Sequence, residues 1–178
     1  MSLNQYLSEN RSRIIKQWRD AILSSYPGDT QRFLRKEKDP FSNPVGHIIQ
    51  NEIGNLYDGV IAAGDILDLV GSLDKIIRVR AVQDFKPSHA IGFVLELKRI
   101  IREGWQEAGR EKDPETDLQA MEDRIDRVAL LAFDLFSQCR QKIYEIRVKE
   151  VQNQVGALLK RANLAKELSE DKPERQED

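Results

Sequence analysis

The chain has 178 residues, of which 40% are hydrophobic and 33% charged, with a net charge of −2. This length suits one domain with a substantial core and an appendage, while the near-neutral charge argues against a partner such as duplex nucleic acid. No stretch approaches the ~20 consecutive apolar residues of a membrane span, and the N-terminus lacks the apolar core of a signal peptide, so we expect a cytoplasmic protein. Because Cys139 is the only cysteine, no internal disulfide or thiolate metal cluster can form.

The first predicted helix begins with a capping box at Ser2 and ends near Pro27. The segment 30–39 is highly charged and is either a short helix or a loop. Asn43 is the predicted cap of a second long helix, whose broad apolar face is interrupted by Glu52. The apolar residues of the first helix share one face: Leu7, Ile14, Trp18 and Ile22.

A third helical region is predicted from Asp65 to about Val82, and a break at Lys86 precedes a fourth helix. Pro87 fits the first turn of that helix, where its missing N–H costs nothing. Lys98 and Arg102 lie off the apolar stripe of this helix, so we expect their replacement by alanine to leave the melting temperature nearly unchanged. Phe85 should pack beneath the turn, and the stripe recurs at spacings of 4, 3, 4 and 4, as expected of a core face: Ala90, Val94, Leu97, Ile101 and Trp105.

The last predicted helix runs from Pro114 to about Leu168, far beyond the roughly 10 to 20 residues of ordinary globular helices, and needs a partner. It carries two heptad seams that lie two residues out of phase, which turns the apolar face by about 200°. The first seam should close the core: Leu118, Met121, Ile125, Val128, Ala132, Leu135 and Cys139. The second should form a coiled coil with the same helix of another subunit: Tyr144, Val148, Val151, Val155, Leu158, Ala162 and Ala165.

The sequence contains no Gly-rich phosphate loop and no hydrolase or zinc motif, so we expect no enzyme activity, no cofactor and no metal. His47 and His89 are the only imidazoles, and we interpret both as packed or surface side chains. Cys139 lies on the first seam and reads as a small buried apolar residue. The carboxylates between Glu111 and Asp117 suit a helix start. The basic run between 140 and 149 either flanks the second seam, the commoner case, or touches an anionic surface.

The block Arg80–Phe85, followed by Pro87-Ser88, Ala90, Phe93-Val94 and Leu97-Lys98, resembles the N-terminal domain of the RsbR and RsbRD group of stressosome co-antagonists. Trp18 with Tyr26-Pro27, and the segment from Phe41 to Val45, are similar to upstream landmarks of the same family. The resemblance covers roughly Leu3 to Gly109. It implies an all-helical, globin-like input domain that binds no haem, pairs as a dimer and, in longer relatives, precedes an output module such as a STAS or kinase domain.

We therefore predict an all-α fold with a sensor domain over 1–140, a coiled-coil helix over 141–168 and a disordered acidic tail over 169–178. The chain should form a homodimer through the second seam and regulate an unidentified signalling protein that supplies the output domain. The alternative is a small-molecule or haem sensor of globin type, with His47 and His89 as the available nitrogen ligands. The expected family-signature core consists of Phe85, Pro87, Ala90, Val94 and Leu97.

Overall fold

Every regular element in the described part of the chain is a helix, which confirms the all-α prediction. The computed structural model describes residues 2–83, 85–109 and 115–170, with side chains given from 117 to 163 in the last segment. The chain divides into two units, Met1–Cys139 and Arg140–Asp178. The helices are α1 Leu3–Glu9, α2 Arg11–Ser24, α3 Gly28–Lys36, α4 Pro44–Ile61, a 3₁₀ turn Ile66–Leu69, α5 Val70–Val82, α6 Pro87–Glu107 and α7 Glu115–Glu170.

The N-terminal segment forms two helices where the sequence predicts one. Ser2 caps α1 as expected, because its hydroxyl accepts a hydrogen bond from the Gln5 amide at 3.2 Å. The helix breaks at Asn10, whose side-chain Nδ2 donates to the Tyr6 carbonyl at 2.9 Å. Asparagine competes with the helical backbone in this way, which is why it favours helix ends. The prediction of one continuous helix is therefore wrong at this position.

The charged segment after α2 contains the helix α3, which Asn43 joins to α4. The Asn43 side chain is buried, and its Nδ2 donates to the carbonyls of Leu34 at 3.1 Å and Glu37 at 2.9 Å. Its Oδ1 accepts from the Gly46 amide at 2.8 Å, which caps α4 as the sequence predicts. A side chain at position 46 would collide with the Asn43 amide and displace this cap, so glycine suits the position.

The core of the first unit is built by α2, α4, α5 and α6 and is completed by the first part of α7. Two buried aromatic side chains tie helices together through backbone carbonyls: Trp18 Nε1 donates to Phe93 O at 2.6 Å, and the Tyr57 hydroxyl donates to Leu7 O at 2.9 Å. Burial raises the pKa of Tyr57, so this hydroxyl remains a donor. The α7 residues that enter this core are Met121, Ile125, Val128, Ala129, Ala132 and Phe136.

The second unit consists of the part of α7 that begins at Arg140. None of its described side chains, which extend to position 163, is buried. Helix α7 continues to Glu170 and so includes the first two residues of the predicted acidic tail, while 171–178 lies outside the described residues. Across the described helices, none is long and apolar enough to span a bilayer.

Candidate functional site

Arg80 is the first residue of the sequence block that resembles the RsbRD family, and it lies in the last turn of α5, close to the start of α6. The side chain is 0% exposed. Its Nε donates to the Ala90 carbonyl at 2.9 Å, and its Nη2 donates to the His89 carbonyl at 2.8 Å and to the Ser25 hydroxyl at 2.9 Å. One guanidinium therefore joins the last turn of α5 to the first turn of α6 and to the end of α2.

Three aromatic rings surround this guanidinium. The Arg80 Cζ atom lies 4.3 Å from the ring centre of Phe85, 5.3 Å from that of Tyr26 and 5.7 Å from that of Phe93. Tyr26 and Phe85 also meet edge to face, with their centres 5.1 Å apart. A desolvated cation against aromatic faces is attracted by about 2 kcal/mol. Burial lowers the pKa of Arg80, whereas the adjacent Tyr26 opposes that change.

The block is therefore a structural junction rather than an open binding site. Arg80 Nη1, the Tyr26 hydroxyl and Gln83 Oε1 are buried and find no hydrogen-bond partner among the described residues. Asp84, which belongs to the same sequence block, lies outside the described residues. Pro87 begins α6, and Ala90, Val94, Leu97, Ile101 and Trp105 are all buried, so this side of α6 faces the core.

A strip of exposed apolar side chains follows the second seam of α7. We call the residues Tyr144, Val148, Val151, Val155, Leu158 and Ala162 the apolar strip; Ala165 continues its spacing, but its side chain lies outside the described residues. The five large members of the strip are between 49% and 63% exposed. Because residues three and four positions apart are neighbours on a helix, these side chains form one exposed apolar stripe.

Arg140 lies beside the first residue of the apolar strip. Its Nη2 donates to the Tyr144 hydroxyl at 2.8 Å, and its Cζ lies 5.0 Å from the ring centre. Two further large apolar residues of this unit, Ile146 and Leu159, are also exposed. The second unit therefore exposes apolar side chains that a helix of a globular protein normally buries.

Both histidines lie on the surface of the first unit. His47 is on α4, with its ring Nε2 2.9 Å from Asn51 Nδ2, and His89 is in the first turn of α6. An axial haem ligand has to point into an enclosed pocket, so these exposed positions do not favour the haem alternative. Cys139 is half-buried and packs against the core. In the part of the chain that the structure describes, no three His, Cys, Asp or Glu side chains are grouped as metal ligands.

An ion-pair cluster joins α6 to α7, and the helical spacing does not reveal it. Glu122 is 2% exposed, and its Oε1 accepts from Arg102 Nε at 2.7 Å. Lys98 Nζ lies 2.9 Å from Asp126 Oδ2 and 3.9 Å from Glu122 Oε2. The expectation that both cations can be removed without effect therefore needs revision for Arg102, because its loss leaves a buried carboxylate with a weaker partner.

The described part of the chain is all-helical, and its last helix exposes an apolar strip. Residues 12–151 match the family described as the RsbT co-antagonist protein rsbRD N-terminal domain. The match covers most of the chain, so the protein belongs to this family of stress-signalling input domains, and the predicted resemblance is confirmed.

The chain is also similar to an uncharacterized protein of Archaeoglobus fulgidus, with 27% identity over 148 residues that cover 79% of this chain and 84% of that protein. No solved structure matches the chain. The family match extends past the end of the first unit and includes Tyr144, Val148 and Val151 of the apolar strip.

Proposed function

We propose that this protein is a non-enzymatic signalling domain that forms a homodimer through the apolar strip and regulates a separate partner protein through its C-terminal helix. The observation that carries the proposal is the exposure of Tyr144, Val148, Val151, Val155 and Leu158 at alternating spacings of four and three. That spacing is the heptad repeat of a two-stranded coiled coil.

Part of the strip has the residue types of a parallel pair of helices. If Val148 and Val155 occupy the a positions, Val151 and Leu158 occupy the d positions. Valine at a with leucine at d, as at Val155 and Leu158, favours two strands, whereas valine at d, as at Val151, does not add to that preference. Full burial of such a side chain is worth about 1.5 to 3 kcal/mol, from which the cost of association must be subtracted. Several residues acting together are therefore needed, and the strip provides them.

The proposed regulation depends on α7, because one helix both completes the core and carries the apolar strip. The first part of α7 is packed into the core of the input domain by Ile125, Val128 and Ala132, and the strip continues along the same helix. A signal that changes the packing of the core would change α7, and through it the surface that a partner protein contacts. This coupling is a two-state hypothesis whose states must differ in affinity for the partner.

The test replaces Val151, Val155 and Leu158 by glutamate and measures the molar mass by light scattering. We expect the wild type to be a dimer and the variant a monomer, because a buried unpaired carboxylate costs several kcal/mol. The matched control carries Ile146→Glu, Asn153→Glu and Ala157→Glu, which adds the same charge to the opposite side of the same helix. If the strip variant keeps the mass of a dimer, the strip is not the interface. If the wild type is a monomer, the homodimer proposal is wrong.

A further inference from the structure

A groove of about 640 Å³ lies between α2, α3 and the start of α4, in the first unit. Its volume is within the roughly 300 to 1,000 Å³ range of small-molecule sites. Buried side chains of Leu23, Leu34 and Ile49 form part of its wall. His47, Gln50 and Asn51 add hydrogen-bonding groups at the α4 side. The groove thus has a short apolar wall and a lining that is otherwise mostly polar.

The groove has more cationic than anionic side chains in its lining. Of its two carboxylates, Asp20 is paired with Arg35, whose Nη1 lies 2.8 Å from Oδ1, whereas Glu37 Oε1 accepts from the neutral Asp39 amide at 2.9 Å and keeps its charge. No ion pair connects the remaining cations to any residue that the structure describes. These remaining cations are Lys16, Arg19 and Lys38.

Arg19 lines the groove and carries a donor that is unpaired within the part of the chain that the structure describes. Its Nε atom is buried and has no hydrogen-bond partner among the described residues. A buried donor without an acceptor costs on the order of 1–3 kcal/mol, and an anion that draws this guanidinium into a hydrogen bond would recover that cost. Phosphate and carboxylate oxygens are the acceptors that best match a guanidinium.

We propose that this groove binds a small polyanion that carries phosphate or carboxylate groups. Arg19 and Lys16 on α2 are its main contacts, and Lys38 approaches from the segment after α3. A ligand held there contacts α2, α3 and α4 at once, so binding stabilises their packing. The proposal goes beyond the proposed function, since it assigns an input to the domain and uses no property of the apolar strip.

The test is calorimetric titration of the full chain with pyrophosphate and, separately, with citrate, at constant ionic strength. We expect saturable binding of at least one of them with one site per chain, and the two arms distinguish phosphate from carboxylate chemistry. The variant Lys16→Gln with Arg19→Gln should bind at least about tenfold more weakly, because two charge-assisted hydrogen bonds are lost. The control, Lys149→Gln with Lys160→Gln, loses the same charge from exposed positions of the second unit and should bind as the wild type does.

We call Lys16→Gln with Arg19→Gln the groove variant. If it does not fold, the milder variant Lys38→Gln replaces it and should weaken binding about threefold. The proposal is overturned if neither anion gives saturable heat. It is equally overturned if the groove variant binds as tightly as the wild type, or if the control loses as much affinity as the groove variant. Light scattering on the same samples reports the dimer separately, so a failure of the anion site is distinct from a failure of the apolar strip.

Discussion

The two seams of α7 have the same spacing and different environments. In the first, Met121, Ile125 and Val128 are buried against helices of their own chain. In the second, Val151 and Leu158 are more than half exposed. Alternation of three and four residues therefore identifies an apolar face, but other elements of the chain decide whether that face is covered within one subunit. An uncovered seam is the stronger indication of a partner.

This difference has a thermodynamic consequence. Burial in the first seam stabilises each chain by itself, independently of protein concentration. In the proposed dimer, burial of the apolar strip stabilises the chain only when a second copy is bound, so its contribution grows with concentration through mass action. Measurements at two protein concentrations can thus assign a substitution to one seam or the other.

The largest effect is expected from truncation of the core. Val94→Ala combined with Leu97→Ala should lower the free energy of unfolding by about 3 to 7 kcal/mol at any concentration, because both side chains are buried. The matched variant on the strip, Val148→Ala with Val155→Ala, should leave the stability of the dilute protein nearly unchanged and weaken the dimer. Urea denaturation at two protein concentrations measures both, and equal losses in the two variants would contradict the comparison.

A somewhat smaller loss is expected from Arg80→Met, about 2 to 4 kcal/mol. Methionine keeps much of the apolar stem but leaves the carbonyls of His89 and Ala90 without this donor. Arg78→Met is the control on the same helix, because Arg78 is exposed and pairs only with Asp74 among the ion pairs of the described residues; its effect should stay within about 0.5 kcal/mol. If the two variants unfold at the same urea concentration, Arg80 does not hold the α5–α6 junction together.

Most helix starts and the core stripe of α6 could be predicted, because they depend on local signals. Asn43 and Pro87 lie at helix starts as expected, and Val94 and Leu97 follow the helical period. The break at Asn10 escaped prediction because the amide of one side chain competes with an otherwise continuous apolar pattern.

The buried charges escaped prediction for a different reason. The burial of Arg80 depends on aromatic rings that are distant in the sequence or outside its helix: Tyr26 after α2, Phe85 between α5 and α6, and Phe93 in α6. The Arg102–Glu122 pair joins residues 20 positions apart on two helices. Helical periodicity carries no information about such contacts. The globin-like topology and the dimer remain predictions.

Replacement of Arg102 by alanine should cost about 1 to 3 kcal/mol, in contrast to the near-neutral effect expected from the sequence alone. The reason is that Glu122 stays buried while its bidentate partner is lost. Arg99→Ala is the control one turn earlier, where the cation bridges the exposed carboxylates of Glu96 and Glu103 and should contribute less than about 0.5 kcal/mol. A double-mutant cycle with Glu122→Ala should give a coupling of at least about 1 kcal/mol, and a coupling near zero would restore the original expectation.

The smallest predicted effect is a pH dependence that comes from Glu52. Burial by itself would raise the pKa of this carboxyl, but the hydrogen bond and the charge of Lys75, whose Nζ lies 2.6 Å from Glu52 Oε1, help to outweigh it, so the pKa lies below the usual 4.5. A carboxyl whose pKa falls on folding contributes stability above its unfolded pKa and loses it as the pH drops through the folded value.

The wild type should therefore lose more stability than Glu52→Gln as the pH falls from about 5 to about 3, measured as the urea midpoint at each pH. Glu145→Gln removes one exposed carboxylate from the second unit and serves as the control. If the urea midpoints of the wild type and Glu52→Gln fall equally as the pH drops, the ion pair between α4 and α5 adds nothing to stability. If the urea midpoint depends less on pH in Glu52→Gln than in the wild type, and Glu145→Gln behaves as the wild type does, the Glu52–Lys75 pair is an acid-sensitive contact. Such a result would assign the acid sensitivity to the first unit and not to the helix that carries the apolar strip.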